Sequence, residues 1–277
     1  MTPYNKMITF PNAKINLGLN IVERRADGYH NIETVFYPVP LTDVLEIVPA
    51  DEVSLSCYGN AVDCPPEKNL VMRAYRLMQE RFGLPPVAMH LYKHIPDGAG
   101  LGGGSSDAAH ALKMLNTMFD LGIADAELAT MAATLGADCA FFIYNRPMMA
   151  TGIGDVLSPV VIDLKGKTLL LVKPPVGVDT RTAYSRVVPH APSMPLSDII
   201  ARPVESWDGL LVNNFEPSVF AALPQLWLIK ASLFDGGAQY AAMSGSGSTI
   251  FGIFDSDKLA EAAADTFADC ATFVLPL

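Results

Sequence analysis

Short stretches in which apolar and polar residues alternate predict half-buried strands in this chain. Such stretches cover residues 43–48 and 53–57, and a longer one at residues 87–95 is closed by Pro96. Further strands are predicted at residues 168–172, 240–243 and 249–254. The last two flank a glycine- and serine-rich turn, which is typical of a hairpin.

Apolar residues at helical spacing predict helices at residues 69–82, 105–119, 125–135, 224–234 and 258–267. Asp125 stands where a capping side chain is expected, and Gly136 stands where a helix would stop. The strands and helices occur in a mixed order rather than in strict alternation. The chain is therefore predicted to be an α+β protein.

The composition is that of a folded, acidic protein. Of 277 residues, 50% are apolar and 17% are charged, and the formal net charge is −10. A chain of this length is expected to form two compact domains or one large one. The acidic balance argues against a nucleic-acid or anionic-membrane partner. No apolar run approaches the roughly 20 residues of a membrane helix.

The N-terminal segment, the cysteines and one linker-like stretch indicate a cytoplasmic protein of two domains. Residues 1–14 lack a basic segment followed by an apolar one, so no secretory signal is expected. The four cysteines form no C-x-x-C pair, so we expect reduced thiols in a cytoplasmic protein. A stretch rich in proline, methionine and glycine at residues 145–154 indicates a passage between halves. The predicted domains are residues 1–153 and 154–277.

The most informative segment is a glycine-rich loop between a predicted strand and a predicted helix. It reads Pro96-Asp-Gly-Ala-Gly-Leu-Gly-Gly-Gly-Ser-Ser106. Glycine permits φ > 0 and lets an anion approach the main chain closely. The helix that follows presents unpaired N–H groups and the positive end of its dipole. The loop is therefore predicted to bind phosphate, with Ser105 and Ser106 at the helix cap.

Other glycine motifs fit this loop less well. Gly98-x-Gly100-x-x-Gly103 matches the dinucleotide-binding fingerprint, but it lies far from the N-terminus and no βαβ unit follows it. A Walker A loop would carry a lysine after the last glycine, and a protein-kinase loop would carry a valine near Ser105. An ordinary turn or a flexible linker is the remaining alternative, although a strand and a helix enclose the loop tightly.

Motifs spread from residue 11 to residue 251 resemble, in order, those of the GHMP kinases. The glycine-rich loop is similar to their second motif. Its triple glycine, followed by Ser-Ser-Asp, narrows the resemblance to the 4-diphosphocytidyl-2-C-methyl-D-erythritol kinase family. The other similar segments are residues 11–19, 25–34, 136–142, 213–216 and 243–249.

This resemblance implies a fold and an activity. The fold would be the α+β GHMP kinase fold, with an N-terminal domain like ribosomal protein S5, a ferredoxin-like C-terminal domain and the active cleft between them. The activity would be transfer of the γ-phosphoryl group of ATP, with Mg²⁺, to the 2-hydroxyl of 4-diphosphocytidyl-2-C-methyl-D-erythritol. That reaction belongs to the non-mevalonate route to isoprenoid and terpenoid precursors. The oligomeric state stays open between monomer and homodimer.

The resemblance also implies two catalytic residues. Asp138 would accept the proton of the attacking hydroxyl. Lys14 would keep Asp138 ionised and stabilise charge on the transferring phosphoryl group. By residue preference alone, Asp138 would be a helix N-cap and Lys14 a surface lysine.

For the phosphoryl acceptor, the implied binding residues are Asn16, Tyr29, His30, Thr180, Tyr184 and Gly247. Tyr29 and His30 follow the turn at Asp27-Gly28, where an aromatic ring and an imidazole can stack on and hydrogen-bond a pyrimidine. A packed aromatic beside a loop histidine is the alternative. Residues 174–184 depart most from the family pattern.

For the nucleotide, the implied binding residues are Pro96, Asp97, Gly98, Ala99, Gly100, Leu101, Gly102, Gly103, Gly104, Ser105, Ser106, Asn69 and Lys93. Asn69 can equally be the N-cap of its own helix. No metal ligand is named, and Mg²⁺ is expected because ATP carries it.

Two other functions are weighed against this one. The first is a GHMP kinase for homoserine, mevalonate or a sugar, against which Asp27-Gly-Tyr-His30 and the triple glycine argue. The second is a non-catalytic nucleotide-binding protein. The presence of both Lys14 and Asp138 argues against it.

Overall fold

The computed structural model describes residues 6–60 and 64–277. The strands are β1 (Met7–Thr9), β2 (Asn12–Arg24), β3 (His30–Thr42), β4 (Val44–Pro49), β5 (Ser54–Gly59), β6 (Val87–Lys93), β7 (Met148–Thr151), β8 (Val156–Pro159), β9 (Thr168–Lys173), β10 (Tyr240–Met243), β11 (Ile250–Phe254) and β12 (Ala271–Pro276). The α-helices are α1 (Leu70–Phe82), α2 (Gly103–Met118), α3 (Asp125–Ala133), α4 (Cys139–Tyr144), α5 (Thr180–Ser185), α6 (Leu196–Ile200), α7 (Glu216–Ala222), α8 (Pro224–Asp235) and α9 (Asp257–Ala264). Short 3₁₀ helices lie at Pro66–Lys68 and Val204–Ser206.

These elements form two compact units that alternate along the chain. The first unit comprises the described part of Met1–Ala13 with Leu41–Asp97 and Gly102–Arg146, and the second comprises Lys14–Pro40, Gly98–Leu101 and Pro147–Leu277. The glycine-rich loop is therefore divided, with residues 98–101 in the second unit and the following residues in the first. The domain boundary between residues 153 and 154 stays a prediction.

The first unit is built on one sheet with the order β1-β4-β6-β5, in which β5 and β6 are parallel. Helices α1 and α2 pack on each other, and α2 also contacts β1 and β4. Along β6, buried Val87, Met89 and Leu91 alternate with more exposed positions. Lys93 continues this buried face, so the strand carries a lysine side chain into the interior.

The second unit contains two four-stranded sheets, β2-β3-β7-β8 and β10-β11-β9-β12, and the second of these is antiparallel throughout. The second sheet has its four strands in the chain order 2-3-1-4, with helices α8 and α9 packed on it, and this is the ferredoxin-like order. Its core includes Leu170, Val172, Phe215, Ile250 and Phe254. The predicted α+β class and ferredoxin-like half are confirmed.

The predicted capping residues are partly right. Asn69 caps α1, since its Oδ1 accepts a hydrogen bond from the Val71 N–H at 2.9 Å. Asp125 does not cap α3, because the carbonyl of Ala124 already accepts the first N–H groups of that helix. Asp125 lies instead in the first turn, where a negative charge meets the positive end of the dipole. The helix ends at Ala133, before the predicted stop.

The start of α2 also differs from the prediction. The helix begins at Gly103, and Gly102 occupies the cap position with a left-handed φ of 71°. Ser105 and Ser106 therefore lie in the first turn and are not caps. The predicted passage at residues 145–154 contains strand β7. The long strands β2 and β3 have no counterpart in the sequence pattern as it was interpreted.

Among residues 6–60 and 64–277, no single helix is long and apolar enough to cross a membrane. Helices α7 and α8, Glu216–Ala222 and Pro224–Asp235, reach that length and apolar composition only together, and they are bent by 115° at the break between them.

Candidate active site

The first arm of the glycine-rich loop, residues 98–101, is held in place within the second unit. Gly98 and Gly100 have φ of 57° and 77°, the left-handed region that glycine tolerates. The Ser244 hydroxyl donates to the Gly100 carbonyl at 2.8 Å, and the Lys14 N–H donates to the Leu101 carbonyl at 2.9 Å. The Thr249 N–H also donates to the Ala99 carbonyl at 3.3 Å. The arm is thus attached both to strand β2 and to the loop after β10.

Strand β2 brings Lys14 and Asn16 to this arm. Both are buried, because β2 is covered on both faces over most of its length. The Lys14 ammonium donates to Asn16 Oδ1 and lies 5.0 Å from the centre of the Phe36 ring. Asn16 Nδ2 donates to Thr34 Oγ1 at 3.0 Å, and the Asn16 N–H reaches the Ser244 hydroxyl at 3.3 Å. Only 3% of Lys14 is exposed, so it does not take the surface position that residue preference alone would give it.

The loop after β10, residues 244–249, is held by a buried asparagine. Asn213 Nδ2 donates to the carbonyls of Met243 and Gly245 at 2.7 and 2.8 Å. Its Oδ1 accepts the Phe215 N–H at 2.9 Å. Gly247 has φ of 93°, and a Cβ there would lie 2.6 Å from the Met243 sulfur. The loop therefore has one defined path, and the hairpin that the sequence predicts is confirmed by the antiparallel pairing of β10 and β11.

The residues predicted to bind the acceptor form two contacts in the second unit. His30 stacks on Tyr184, with ring centres 5.0 Å apart and planes 22° apart. Thr180 Oγ1 lies 2.9 Å from Ser246 Oγ. Tyr29, which precedes His30 in the chain, is 62% exposed. It ends a turn in which its N–H donates to Asp27 Oδ1. Burial, assisted by Arg24, lowers the pKa of His30 and so favours the neutral imidazole.

Asp179, within the segment 174–184, has a local structural role. It caps the short helix α5, since its Oδ1 accepts the Thr182 N–H at 2.7 Å. This helix carries both Thr180 and Tyr184. Asp179 thus fixes the start of the helix that carries these two predicted acceptor-binding residues.

In the first unit, the start of α2 presents main-chain N–H groups without a side-chain cap. The first helical bond is from the Ser106 N–H to the Gly102 carbonyl at 2.9 Å, so the N–H groups of Gly103, Gly104 and Ser105 have no helical acceptor. Ser106 is fully buried, and its hydroxyl faces His110 Nδ1 at 3.4 Å. Pro96 and Asp97, the first two residues of the loop, are half-buried and exposed, respectively.

Asp138 lies in the segment that packs beside this helix start. It occupies the cap position of α4, but its side chain makes no capping bond. Its neighbour Cys139 is buried, and burial raises the pKa of that thiol to about 11, although Ser105 opposes the rise. A Cβ on Gly136 would lie 3.8 Å from the Ser105 hydroxyl. The fold of the first unit thus places Asp138, half-buried, next to the first turn of α2.

Lys93 forms a buried ionic cluster in the first unit. Its ammonium contacts Asp43 Oδ2 and lies 2.6 Å from Asp107 Oδ2. Asp43 Oδ1 also accepts the N–H groups of His94 and Ile95. An ammonium has three N–H donors, and the two carboxylates take two of them. The ammonium lies 3.3 Å from the position of a Cβ on Gly103.

Sequence reasoning missed several residues that hold these groups, namely Thr34, Asp43, Asp107, Asn213, Ser244 and Thr249. All of them except Asp43 stand inside recognised motifs. A buried lysine at the end of a strand is itself a signal that acids must lie near it. Asp43 carries no local signal. No group of three or more His, Cys, Asp or Glu side chains suited to a metal ion occurs among residues 6–60 and 64–277.

Comparisons with known proteins agree with this architecture. Residues 69–146 match the family described as GHMP kinases N terminal domain, and residues 199–271 match GHMP kinases C terminal. The 4-diphosphocytidyl-2-C-methyl-D-erythritol kinase of Bacteroides fragilis is 56% identical over 256 residues, which cover 91% of this chain and 93% of that protein. The kinase of the same name from Bacteroides thetaiotaomicron is 54% identical over 255 residues, with the same coverage of 91% and 93%.

A solved structure supports the same assignment. It is a 4-(cytidine 5'-diphospho)-2C-methyl-D-erythritol kinase, 32% identical, with a TM-score of 0.84 over 97% of this chain and 98% of its own. The chain therefore belongs to the GHMP kinases, which are ATP-dependent kinases of small molecules, and within them to the 4-diphosphocytidyl-2-C-methyl-D-erythritol kinase family.

Proposed function

We propose that this chain transfers the γ-phosphoryl group of ATP to the 2-hydroxyl of 4-diphosphocytidyl-2-C-methyl-D-erythritol. The relatives above carry that activity in their names, and they match this chain over nine-tenths of its length. A kinase for homoserine, mevalonate or a sugar is not favoured, because the quoted relatives at 54–56% identity are named for the cytidylyl alcohol, whereas a homoserine kinase and a mevalonate kinase of known structure are 16% and 14% identical.

The observation that carries the proposal is the start of α2. Three main-chain N–H groups there have neither a helical acceptor nor a side-chain cap. An anion is the usual partner of such groups, since they also lie at the positive end of the helix dipole. Gly98, Gly100 and Gly102, all with positive φ, give a path on which the main chain approaches a ligand without side chains in the way. We assign the ATP phosphates to these residues.

Asp138 and Lys14 take the catalytic roles in this proposal. Asp138 is half-buried next to the first turn of α2, where it accepts the proton of the attacking hydroxyl. Lys14 offers an ammonium group that Asn16 orients within a buried network, and it stabilises the negative charge that spreads over the transferring oxygens. Asn69 and Lys93 are assigned to the adenine end.

The acceptor is assigned to the second unit. The stacked pair of His30 and Tyr184, with the exposed ring of Tyr29, offers flat faces for a cytosine. Neutral His30 can both donate and accept a hydrogen bond to the base edge. Thr180 is assigned to the same cytosine pocket as Tyr184, and the loop that contains Gly247 is assigned to the phosphates of the acceptor.

Mg²⁺ is expected to arrive with ATP. Its hard preference for oxygen is met by the phosphates themselves, which is the usual arrangement in kinases. We assign no protein ligand to it. ATP and the cytidylyl alcohol are the proposed partners, and the net charge of −10 disfavours nucleic acid and anionic membranes. We also propose a cytoplasmic location, in keeping with the reduced cysteines expected from the sequence.

One experiment tests the proposal. The purified chain is offered ATP and Mg²⁺ with 4-diphosphocytidyl-2-C-methyl-D-erythritol, homoserine or mevalonate, and product is followed by phosphorus NMR. Phosphorylation of the cytidylyl alcohol alone is expected. Turnover of either other acceptor at a comparable rate, or ATP hydrolysis without transfer, would contradict it.

A further inference from the structure

The Lys93 cluster holds two carboxylates and one ammonium, and one of its carboxylate oxygens has no donor. Asp43 receives hydrogen bonds from the Lys93 ammonium and from the N–H groups of His94 and Ile95. Asp107 receives one from Lys93 only, at 2.6 Å. Its other oxygen, Oδ1, is buried and has no hydrogen-bond partner among the described residues. A buried carboxylate oxygen without a donor is costly.

One ammonium cannot neutralise two buried carboxylates. Burial lowers the pKa of Lys93, but Asp107 and Asp43 together hold it above its ordinary value, so the ammonium stays charged. Asp43 accepts more hydrogen bonds than Asp107, because two main-chain N–H groups also donate to it. The proton that balances the cluster therefore belongs on Asp107.

The electrostatic surroundings agree with this choice. Burial raises the pKa of Asp107 to about 7, Lys93 opposes the rise, and Asp43 adds to it. The groups that face it come from three other elements: Asp43 from the β3–β4 junction, Lys93 from β6, and Cys57 from β5. The Cys57 thiol has its own pKa raised by burial and by Asp107, so it adds no charge near neutral pH.

We propose that Asp43, Lys93 and Asp107 form a positioning clamp for the phosphate-binding start of α2, and that Asp107 takes part in it as a neutral, protonated acid. The inference rests on the proposed function, because it assigns the ATP phosphates to that helix start. The clamp joins the strand that enters the glycine-rich loop to the helix that leaves it. Lys93 ends β6 and Asp107 lies on α2, four residues after Gly103.

The proton matters because of where Asp107 lies. Four residues of helix separate it from the first N–H group of α2, about 6 Å along the axis. Loss of the proton would place a further negative charge beneath a site for a polyanion. Coulomb's law with an effective dielectric constant near 20 and a separation of about 10 Å gives a weakening of binding of about tenfold. By reciprocity, binding of the nucleotide must raise the proton affinity of Asp107.

The test compares the wild type with Asp107→Asn, which has the same shape and mimics the neutral acid. The dissociation constant of a non-hydrolysable ATP analogue with saturating Mg²⁺ is measured from pH 5.5 to pH 9. The wild type should lose about tenfold in affinity as pH rises through 7, beyond any change in the variant. The ligand's own titration is common to both proteins. Asp51→Asn, an exposed acid of the same unit, should behave as the wild type and controls for net charge.

Equal pH profiles for the wild type and Asp107→Asn would overturn the proposal. A second measurement needs no variant. With aspartate carboxyl carbons labelled, the free wild-type protein should show one carbon-13 resonance that titrates near pH 7. If every aspartate titrates below about pH 5, the proposal is wrong whether or not the variant folds. Failure of the wild type to bind the analogue at any pH would contradict the proposed function, and the carbon-13 titration would still decide this inference.

Discussion

Gly100 offers the sharpest test of how the glycine-rich loop is held. A Cβ at this position would lie 2.0 Å from the Ser244 carbonyl oxygen and 2.9 Å from its carbon. Relief of that contact needs a main-chain shift of about 1 Å. The matched control is Gly98, two residues earlier in the same loop. It also has a left-handed φ, but nothing lies within 4 Å of the Cβ that alanine would add.

The expected cost of each substitution follows from this geometry. Alanine in a left-handed conformation costs about 1–2 kcal/mol, and this applies to both Gly98→Ala and Gly100→Ala. Forcing an extra carbon into a packed site adds about 1–3 kcal/mol, and this applies to Gly100→Ala alone. The free energy of unfolding should therefore fall by about 1–2 kcal/mol in the control and by about 2–5 kcal/mol in Gly100→Ala.

The assay has two readouts. Urea unfolding without nucleotide measures stability, and kcat/KM for ATP at saturating acceptor measures alignment of the phosphates. A shift of about 1 Å at a reacting group can cost about 10²-fold in rate, so kcat/KM should fall by that order in Gly100→Ala. If both variants lose the same stability and the same activity, the packing of Gly100 against Ser244 does not hold the loop.

Further predictions follow from the same structure. Asp138→Asn should lower kcat by about 10²-fold or more with little change in ATP binding, as measured by isothermal titration; near-normal turnover would remove its proposed role. Tyr29→Ala should raise KM for the cytidylyl acceptor far more than KM for ATP in steady-state assays, and equal rises would mean the pocket is misassigned. Asn213→Leu should cost about 2–4 kcal/mol in urea unfolding, because two buried carbonyls lose their donor, and a cost under about 1 kcal/mol would contradict that. The pKa of Asp107 is raised from 3.8 to about 7 in the folded state, so between these pH values the folded state holds a proton that the unfolded state releases. The free energy of unfolding of the wild type, relative to Asp107→Asn, should therefore fall as pH rises from 3.8 to about 7 and level off above. A difference that does not change with pH in urea unfolding would refute this.

The elements with strong local signals were predictable. The helical spacing before Gly83 and the capping residue Asn69 predicted α1, which runs over Leu70–Phe82. The apolar alternation of residues 87–95 predicted β6 to within two residues at its end. These signals suffice because a helix cap or a strand face depends on residues close together in sequence.

Other elements had no usable local signal. Residues 13–21 of β2 are buried without interruption, so the strand lacks the alternation that a half-buried strand shows. The start of α2 was misjudged because serine is the commoner cap, whereas here Gly102 turns the chain by its left-handed φ. In each case the competing preference came from packing that a short window does not contain.

In the candidate site, too, some features were predictable from the sequence and others were not. Its chemistry was evident from the chain: a glycine-rich loop before a helix, an ordered series of motifs, and a lysine and an aspartate at matching positions. The partners that hold those groups were not evident. Ser244 lies 144 residues from Gly100, and Asp43 lies 50 residues from Lys93.

By itself, then, the amino-acid sequence determined the class of ligand and the order of the parts, since both reside in short motifs. Only the tertiary structure decided that Lys14 and Lys93 are buried, which acids and amides surround them, and that Asp107 keeps an oxygen without a donor. The physical reason is that charge and hydrogen-bond balance in an interior depends on groups brought together from distant segments. Such groups meet only once strands have paired and helices have packed.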